Sequence, residues 1–308
     1  MIDQAEKLRL RMNQISETVQ NKEEVKSVPN QEGFKSARVI AVTSGKGGVG
    51  KSSLSVNLAL QLQKAGKRTV IIDTDFGLAN IEVMLGIRPR SNMADLLFHD
   101  KKIEDIITKG PLDLGFISGG SGVQELSTLS KEEIQDFSSK LSLLDDMADV
   151  IIIDTGAGIS DAVLEFLLCA PEVLLVVTPE PTSITDAYSL LKTLNRNPGF
   201  DMKDKRISIV VNRVTYKNQG LEIFNKISMV ATIFLKMRLE YFGEITYDDK
   251  VSRAIIAQKP VTLAYPTSKS AKDIELLAEK LLDENSVKEH RGGFARFFTD
   301  FLKNSKHK

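Results

Sequence analysis

A glycine-rich segment, residues 45–52, constrains the fold of this 308-residue chain more than any other feature. It reads GKGGVGKS and matches the pattern G-x-x-x-x-G-K-[ST]. The segment follows a β-branched run, RVIAVTS, and leads into a helical pattern, SLSVNLALQLQ. In this context glycines let backbone N–H groups turn inward, and the helix N-terminus adds partial positive charge. The pattern therefore predicts a cradle for phosphate groups, and it disfavours the alternative of a glycine-rich turn without a ligand.

The last residues of this loop predict a nucleoside triphosphate with its metal ion. Lys51 can reach the β- and γ-phosphates, and Ser52 can hold Mg²⁺. The guanine signature N-K-x-D is missing from the sequence, so ATP is preferred over GTP. We therefore predict ATP or ADP with Mg²⁺ as cofactors. The predicted nucleotide-binding residues of the loop are Gly45, Lys46, Gly47, Gly48, Val49, Gly50, Lys51, Ser52 and Ser53.

From residue 38 onward, short β-branched runs alternate with helical patterns. Runs such as VIIID and VLLVV are apolar at successive positions, as expected for parallel strands covered on both faces. Helices between such strands supply the crossovers. We predict a doubly wound, mostly parallel α/β sheet flanked by helices, with its ligand at the carboxyl ends of the strands. The predicted strands are 39–43, 69–73, 114–117, 150–154, 173–178 and 207–212, and the predicted helices include 51–65, 130–146, 183–196 and 268–282.

Polar residues follow three of these strands, where a doubly wound sheet binds its ligand. Asp73 and Asp75 begin the segment DTDFGLAN, and Asp154 ends the strand VIIID before TGAG. Asn212 and Arg213 end the strand RISIVVN. Phosphoryl transfer to water needs a group that orients the water and a metal that spreads the phosphate charge. The carboxylates are candidates for both tasks, whereas capping of a helix or turn is the alternative for Asp73 and Asn212.

The loop and the strand-end segments together resemble the deviant Walker A family of ATPases, which includes MinD, ParA and the nitrogenase iron protein. The form K-G-G-x-G-K-S, with a second lysine at position 46, carries the resemblance. It implies that Lys46 reaches across an ATP-dependent homodimer to the partner's phosphates, and that Asp75 orients the attacking water. An ordinary solvated loop lysine is the alternative. The implied catalytic residues are Lys46, Asp75 and Lys51, the implied metal residues are Ser52, Asp73 and Asp154, and the implied base-side residues are Asn212 and Arg213.

The C-terminal sequence HRGGFARFFTDFLKNSKHK is a basic and aromatic tail with an apolar stripe at helical spacing. Leaving four phenylalanines exposed to water is unfavourable, and the apolar face of this helix must therefore be covered by lipid or protein. We predict a reversible membrane-binding helix on an anionic surface, similar to the tail of MinD-like ATPases. Docking on the protein's own core or in a partner groove is the alternative. The predicted membrane residues are Phe294, Phe297, Phe298, Phe301 and Leu302.

The N-terminal sequence predicts a short helix on a tether. Residues 1–20 carry apolar residues at helical spacing, and residues 21–37 are polar without a period, as in a flexible linker. The opening DQAEKLR resembles the D-Q-A-x-x-L-R segment of the FlhG (FleN) family, MinD-like regulators of flagellar placement and number. That resemblance implies that the helix binds FlhF, a GTPase of the signal-recognition-particle type, and stimulates its GTP hydrolysis. An exposed helix without a partner is the alternative. The implied partner-binding residues are Asp3, Gln4, Leu8 and Arg9.

Charge and cysteine content disfavour several classes of function. Lys and Arg together number 41, as do Asp and Glu, so no global field would draw the chain to nucleic acid. The lone Cys169 rules out an internal disulfide or a C-x-x-C metal site, and its apolar surroundings predict a buried packing residue. No window reaches the roughly 18 apolar residues of a membrane span, and the N-terminus lacks a signal-peptide stretch. We expect a cytoplasmic protein that binds the inner face of the cell membrane reversibly.

These interpretations combine into one main hypothesis. It is a slow ATPase switch that controls flagellar number and placement, with a second copy of itself, FlhF, basal-body components and an anionic membrane as partners. A division-site MinD-type ATPase is the first alternative, although Gly156 stands where MinD usually has proline. A ParA-type DNA-segregation ATPase is a weaker one, and one cysteine argues against an iron–sulfur carrier. The predicted segments are a partner-activating helix, 1–20, a linker, 21–37, an ATPase domain, 38–285, and a membrane tail, 286–308.

Overall fold

The structure is a computed structural model that describes residues 36–75, 80–99, 101–120, 131–283 and 293–305. All of them belong to the compact unit Lys35–Lys308. The predicted N-terminal helix and most of the predicted linker lie outside the described residues. The strands are β1 (Arg38–Ser44), β2 (Thr69–Thr74), β3 (Thr108–Lys109), β4 (Gly115–Ser118), β5 (Val150–Ala157), β6 (Glu172–Val177), β7 (Arg206–Val214) and β8 (Glu240–Thr246).

Helices connect these strands and cover both sides of the sheet. The longer ones are regular α-helices, and a π-helical turn, Ala231–Leu235, follows one of them. The helices are α1 (Lys51–Lys64), α2 (Asn80–Leu85), α3 (Met93–Phe98), α4 (Ile103–Ile106), α5 (Lys131–Ser142), α6 (Leu144–Met147), α7 (Asp161–Cys169), α8 (Pro181–Arg196), α9 (Gln219–Val230), α10 (Asp249–Ile256), α11 (Val261–Ala264), α12 (Lys269–Asp283) and α13 (Gly293–Ser305).

The described strands form one sheet in the order β3-β4-β2-β5-β1-β6-β7-β8. Neighbouring strands pair in parallel, except that β3 pairs antiparallel with β4. From β1 the chain continues to β2 on one side of the sheet, whereas β6 and the later strands lie on the other side of β1. The loop that leaves β1 therefore lies where the direction of the strand order changes. In open α/β sheets a ligand binds at such a switch point, outside the carboxyl ends of the strands. The predicted fold class is confirmed.

Two hydrophobic cores, one on each face of the sheet, explain why the central strands are apolar throughout. Val39 and Ala41 of β1 enter one core, and Ile40 and Val42 enter the other, and all four are buried. Successive strand residues point to opposite faces, so both parities must be apolar when both faces are covered. We call the core that contains helix α1 the loop-side core, and the one that contains α13 the tail-side core.

The six predicted strands are present as β1, β2, β4, β5, β6 and β7, and the sequence analysis missed two elements at the edges of the sheet. Strand β8 has the mixed sequence EYFGEIT and is only partly buried, so it lacks the continuous apolar run that identified the central strands. The predicted helix 130–146 is interrupted, because α5 ends at Ser142 and α6 begins at Leu144. Cys169 is packed against the tail-side core but remains partly exposed, and so is less buried than predicted.

The aromatic tail forms the predicted helix, α13, and this helix lies on the tail-side core. Phe294, Phe297 and Phe301 are only 1%, 2% and 3% exposed. Phe166 of α7 stacks on Phe301, with ring centroids 4.4 Å apart. For these three phenylalanines the structure therefore has the alternative arrangement, docking on the protein's own core, and no exposed apolar stripe. The side chains of Phe298 and Leu302 lie outside the described part of the structure, and no helix in the described part is long and apolar enough to cross a membrane.

Candidate nucleotide site

The glycine-rich loop connects β1 to α1, and two of its glycines are required by close packing. A side chain at Gly45 would collide with the backbone of Asp186 in the second turn of α8. Gly50 caps α1 with a left-handed φ of +95°, and a side chain there would collide with the amide of Asn212. Glycine is the residue that adopts such a φ without strain. The loop is therefore fixed against α8 on one side and against the end of β7 on the other.

Lys51, the lysine of the G-K-[ST] pattern in the loop, is paired with the carboxylate of Asp154 in β5. Its Nζ lies 3.0 Å from Oδ2 of Asp154, and these side chains are 6% and 0% exposed. The other carboxylate oxygen, Oδ1, accepts a 2.7 Å hydrogen bond from the hydroxyl of Ser55 in α1. Breaking a buried ion pair by removing one partner leaves an uncompensated charge. In this structure Asp154 thus supplies the negative charge that a nucleotide phosphate would supply to Lys51.

Asp73 and Asp154 are direct neighbours across the parallel pair β2 and β5, and they form the candidate metal site. Burial, followed by the charge of Asp154, raises the pKa of Asp73 to about 7. Ser52 lies at the N-terminus of α1, and its hydroxyl is 3.2 Å from Nζ of Lys51. Hydroxyl and carboxylate oxygens are the hard ligands that Mg²⁺ prefers, and Mg²⁺ commonly binds through one or two carboxylates together with phosphate oxygens.

A buried carboxylate oxygen without a hydrogen-bond partner also indicates that this site can hold Mg²⁺. Oδ2 of Asp154 is buried and accepts no hydrogen bond, although the Lys51 ammonium faces it. A cation or its bound water would satisfy that oxygen. The described residues contain no cluster of three or more His, Cys, Asp or Glu side chains able to hold a metal by themselves. Ser52, Asp73 and Asp154 would accordingly hold the ion together with the nucleotide, and the ion would neutralise charge on the phosphate oxygens.

Asp75, predicted to orient the attacking water, lies just beyond β2 and is partly buried. Its N–H donates a 3.0 Å hydrogen bond to Asp73, and its carboxylate accepts one of 3.3 Å from the side chain of Asn80. Burial raises the pKa of Asp75. The carboxylate is thereby held beside the metal residues and in reach of the phosphate loop. Residues 76–79, between Asp75 and Asn80, lie outside the described residues.

The side chain of Lys46 extends from the phosphate loop to the start of α8. Its Nζ lies 2.9 Å from Oε2 of Glu180 and 2.9 Å from the hydroxyl of Thr182, both at the start of α8. The hydrogen bond and charge of Lys46 lower the pKa of Glu180. The side chains of Lys46 and Glu180 are 37% and 51% exposed, so the pair lies at the surface of the domain. An ammonium in this position is accessible to a second molecule.

Asn212 and Arg213 contact the phosphate loop from the end of β7. The amide of Asn212 donates a 2.7 Å hydrogen bond to the carbonyl of Val49. Arg213 has a left-handed φ of +63°, and its Nη2 donates a 2.7 Å hydrogen bond to the carbonyl of Gly48. The predicted base-side residues thus lie against the phosphate loop. Their contact with adenine stays a prediction.

The sequence analysis missed three residues of this site, namely Ser55, Glu180 and Thr182. Each acts through a partner that is remote in sequence, and the Lys46–Glu180 pair spans 134 positions. A signal for Ser55 was available, because it lies one helical turn after Ser52 and so on the same face of α1. Nothing in the sequence around Glu180 distinguishes it from other exposed glutamates.

Comparison with known proteins decides the family. The model of the ParA family, described as NUBPL iron-transfer P-loop NTPase, matches residues 35–282. The chain belongs to the ParA family of P-loop NTPases. This ParA-family chain is 39% identical to the antiactivator FleN of Pseudomonas aeruginosa over 265 residues, which is 86% of this chain and 93% of FleN. It is 32% identical to the flagellum site-determining protein YlxH of Helicobacter pylori over 271 residues, 86% of this chain and 90% of YlxH.

Solved structures of ParA-family relatives have the same architecture. The MinD cell division protein of Aquifex aeolicus superimposes with a TM-score of 0.63 at 26% identity, covering 80% of this chain and 98% of MinD. Beside the phosphate loop of this family member, Lys51 pairs with Asp154, and Asp73 lies next to Asp154 on the neighbouring strand. The chain is therefore a P-loop ATPase, and the oxygens of Ser52, Asp73 and Asp154 beside its loop fit Mg²⁺ bound with ATP or ADP. Iron transfer is a description of the family model, and one cysteine offers no pair of thiolates for a cluster.

Proposed function

We propose that this ParA-family ATPase is an ATP-dependent dimerising switch that controls flagellar number and placement. The observation that carries the proposal is its similarity to FleN and to YlxH, whose name describes a flagellum site-determining protein, over nearly their whole lengths. The geometry of Lys46 supports a dimer, because its ammonium lies at the surface of the domain, where it pairs with Glu180. In the proposed cycle ATP and Mg²⁺ bring two chains face to face, and hydrolysis separates them.

The proposed dimer uses Lys46 as a residue supplied in trans. Phosphoryl transfer is accelerated by cations placed at the developing charge, and such a cation can come from a second protein chain. Lys46 must then leave Glu180 and Thr182 for the partner's phosphates. Lys51 keeps its place beside the chain's own nucleotide and exchanges Asp154 for phosphate as its counter-charge.

The proposed membrane contact requires α13 to leave the tail-side core. Its buried phenylalanines cannot contact lipid and Phe166 at the same time. A single short amphipathic helix binds a bilayer weakly, whereas two helices carried by one dimer gain from a high effective concentration. We therefore assign the docked helix to the free chain and the membrane-bound helix to the ATP dimer, at the inner face of the cell membrane.

The N-terminal helix is proposed to bind FlhF and stimulate its GTPase activity. This step rests on the likeness of residues 3–9 to the D-Q-A-x-x-L-R segment that opens FlhG-type proteins. Gln4 of this chain matches the key glutamine of that segment. The test is GTP turnover by a purified FlhF-type GTPase with a synthetic peptide of residues 1–22, beside the same peptide carrying Gln4→Ala. Stimulation that is lost in the variant supports the flagellar assignment. Failure of both peptides to stimulate would contradict the role of this helix.

A division-site role is the second candidate, because MinD proteins are also relatives. The septum site-determining protein MinD of Synechocystis is 29% identical over 247 residues. The two roles differ in phenotype: loss of a flagellar regulator changes flagellar number or position, whereas loss of a division regulator gives misplaced septa. A deletion strain scored for both, and complemented by the chain with and without residues 1–22, separates them. Normal flagella with misplaced septa would overturn the flagellar proposal.

A further inference from the structure

One carboxylate at the base of the sheet holds the tail helix. Oδ1 of Asp145, in the short helix α6, accepts a 2.7 Å hydrogen bond from the N–H of Phe294, and Oδ2 accepts one of 3.0 Å from the N–H of Ala295. These N–H groups belong to the first turn of α13, where a helix has no internal acceptors. A negative charge is also favoured at this end of a helix. Asp145 thus caps a helix that lies about 150 positions away in the chain.

The same carboxylate is fixed from the other side by the ATPase domain. Oδ1 of Asp145 accepts a second hydrogen bond, 3.0 Å long, from the N–H of Ala37, immediately before β1. An acceptor already held by the domain loses little side-chain freedom when the tail arrives. Gly293 completes the fit, because it has a left-handed φ of +48° and any side chain there would collide with the Asp145 carboxylate.

We propose that Asp145 is the latch that holds the membrane tail docked, and that breaking its contact with the first turn of α13 releases the tail. That the released tail binds a membrane rests on the proposed function. That Asp145 holds α13 on the domain does not. The three buried phenylalanines of α13 stack on one another or on Phe166 in the docked state. Their apolar side chains would be covered equally well by the tail-side core or by lipid. The cap is lost on leaving the domain, whereas the apolar face can find lipid. The carboxylate therefore favours the docked state specifically.

The test uses the full-length protein and measures backbone amide exchange of α13. Asp145→Ala should raise exchange across residues 297–301 by roughly three- to thirtyfold, the effect of losing a helix N-cap. Asp146→Asn is the control, because it removes a negative charge from the same helix at the next residue. It should leave the amide exchange of the tail unchanged.

Vesicles separate this inference from the membrane proposal. In nucleotide-free protein, co-sedimentation with vesicles of phosphatidylcholine and phosphatidylglycerol should rise severalfold for Asp145→Ala and stay at the wild-type level for Asp146→Asn. Faster exchange without increased sedimentation would support the latch and overturn the membrane role of the tail. Unchanged exchange in Asp145→Ala, with native unfolding behaviour, would overturn the latch whatever the vesicles show.

Discussion

The ammonium of Lys46 is held by the carboxylate of Glu180 in the same chain, with Nζ 2.9 Å from Oε2. If Lys46 must reach a partner's phosphates, this contact competes with dimerisation. Glu180→Gln should therefore increase the ATP-dependent dimer by a few-fold at a fixed protein concentration, as judged by light scattering after gel filtration. The pair is partly exposed, so the effect stays small.

The matched control for Glu180 is Thr185→Ala. Thr185 lies on the same helix, and its hydroxyl donates a hydrogen bond to the carbonyl of Pro181. In a Lys46→Ala background, Glu180→Gln should have no effect on dimerisation. A weaker dimer in Glu180→Gln alone would mean that Glu180 acts within the dimer.

The two lysines of the loop should separate binding from assembly. Lys46→Ala should retain much of the ATP affinity and lose the ATP-dependent dimer, because Nζ of Lys46 contacts Glu180 and Thr182 at the start of α8, at the surface of the domain. Lys51→Ala should weaken ATP binding itself, since it also leaves the buried Asp154 without its partner. Calorimetric titration and gel filtration of both variants provide the measurement. Equal behaviour of the two variants would remove the case for a lysine that acts in trans.

Asp73 should make the stability of the nucleotide-free protein depend on pH. Its pKa is raised to about 7 by burial and by Asp154, so the folded state holds a proton that the unfolded state releases at lower pH. The folded protein binds more protons in that interval, and its stability should fall as pH rises towards and through about 7. Melting temperatures between about pH 5 and about pH 8 should show this slope in wild type and a reduced slope in Asp73→Asn. An unchanged slope would contradict the assignment.

Magnesium binding should show the opposite trend at the same residue. A metal ion requires the ionised carboxylate, so affinity for Mg²⁺ with ADP should increase as pH rises through about 7. Asp73→Asn should lose most of that increase while keeping the binding of ADP without the metal. The same titration with Asp136→Asn, an exposed residue remote from the loop, serves as control.

Phenylalanines of equal burial should differ in their cost to global stability. Phe116 of β4 is fully buried in the loop-side core, and Phe116→Ala should cost about 3–5 kcal/mol of unfolding free energy. Phe301 is 3% exposed but belongs to the helix that we propose leaves the domain, so Phe301→Ala should cost less, since local undocking limits the loss. Urea unfolding of the two variants measures the difference. Equal losses would mean that the tail is an inseparable part of the core.

The chemistry of the loop could be predicted because it is local in sequence. Glycines at fixed spacing, a lysine and a serine within eight positions, and acids at the ends of apolar runs determine the phosphate site with little help from the rest of the fold. Asp73 and Asp154 are far apart in sequence, but parallel strands bring their carboxyl ends to one edge. Glu180 could not be predicted, because its contact depends on how α8 begins beside the loop.

The location of the tail could not be predicted for a different reason. An apolar stripe requires cover, but the pattern of one helix does not say whether lipid or protein provides it. The stripe of Phe294, Phe297 and Phe301 suits both, and Phe166, which covers it here, lies on a separate helix. Strand β8 was missed because a partly buried strand with glutamates lacks the continuous apolar signal of its neighbours.

The docked tail affects how the protein behaves at high concentration. A helix rich in phenylalanine, left in water, would attract other copies and bind surfaces indiscriminately. With Phe294, Phe297 and Phe301 buried, the free chain hides that adhesive surface inside itself. Docking therefore removes these three phenylalanines from the surface through which copies of the chain could associate.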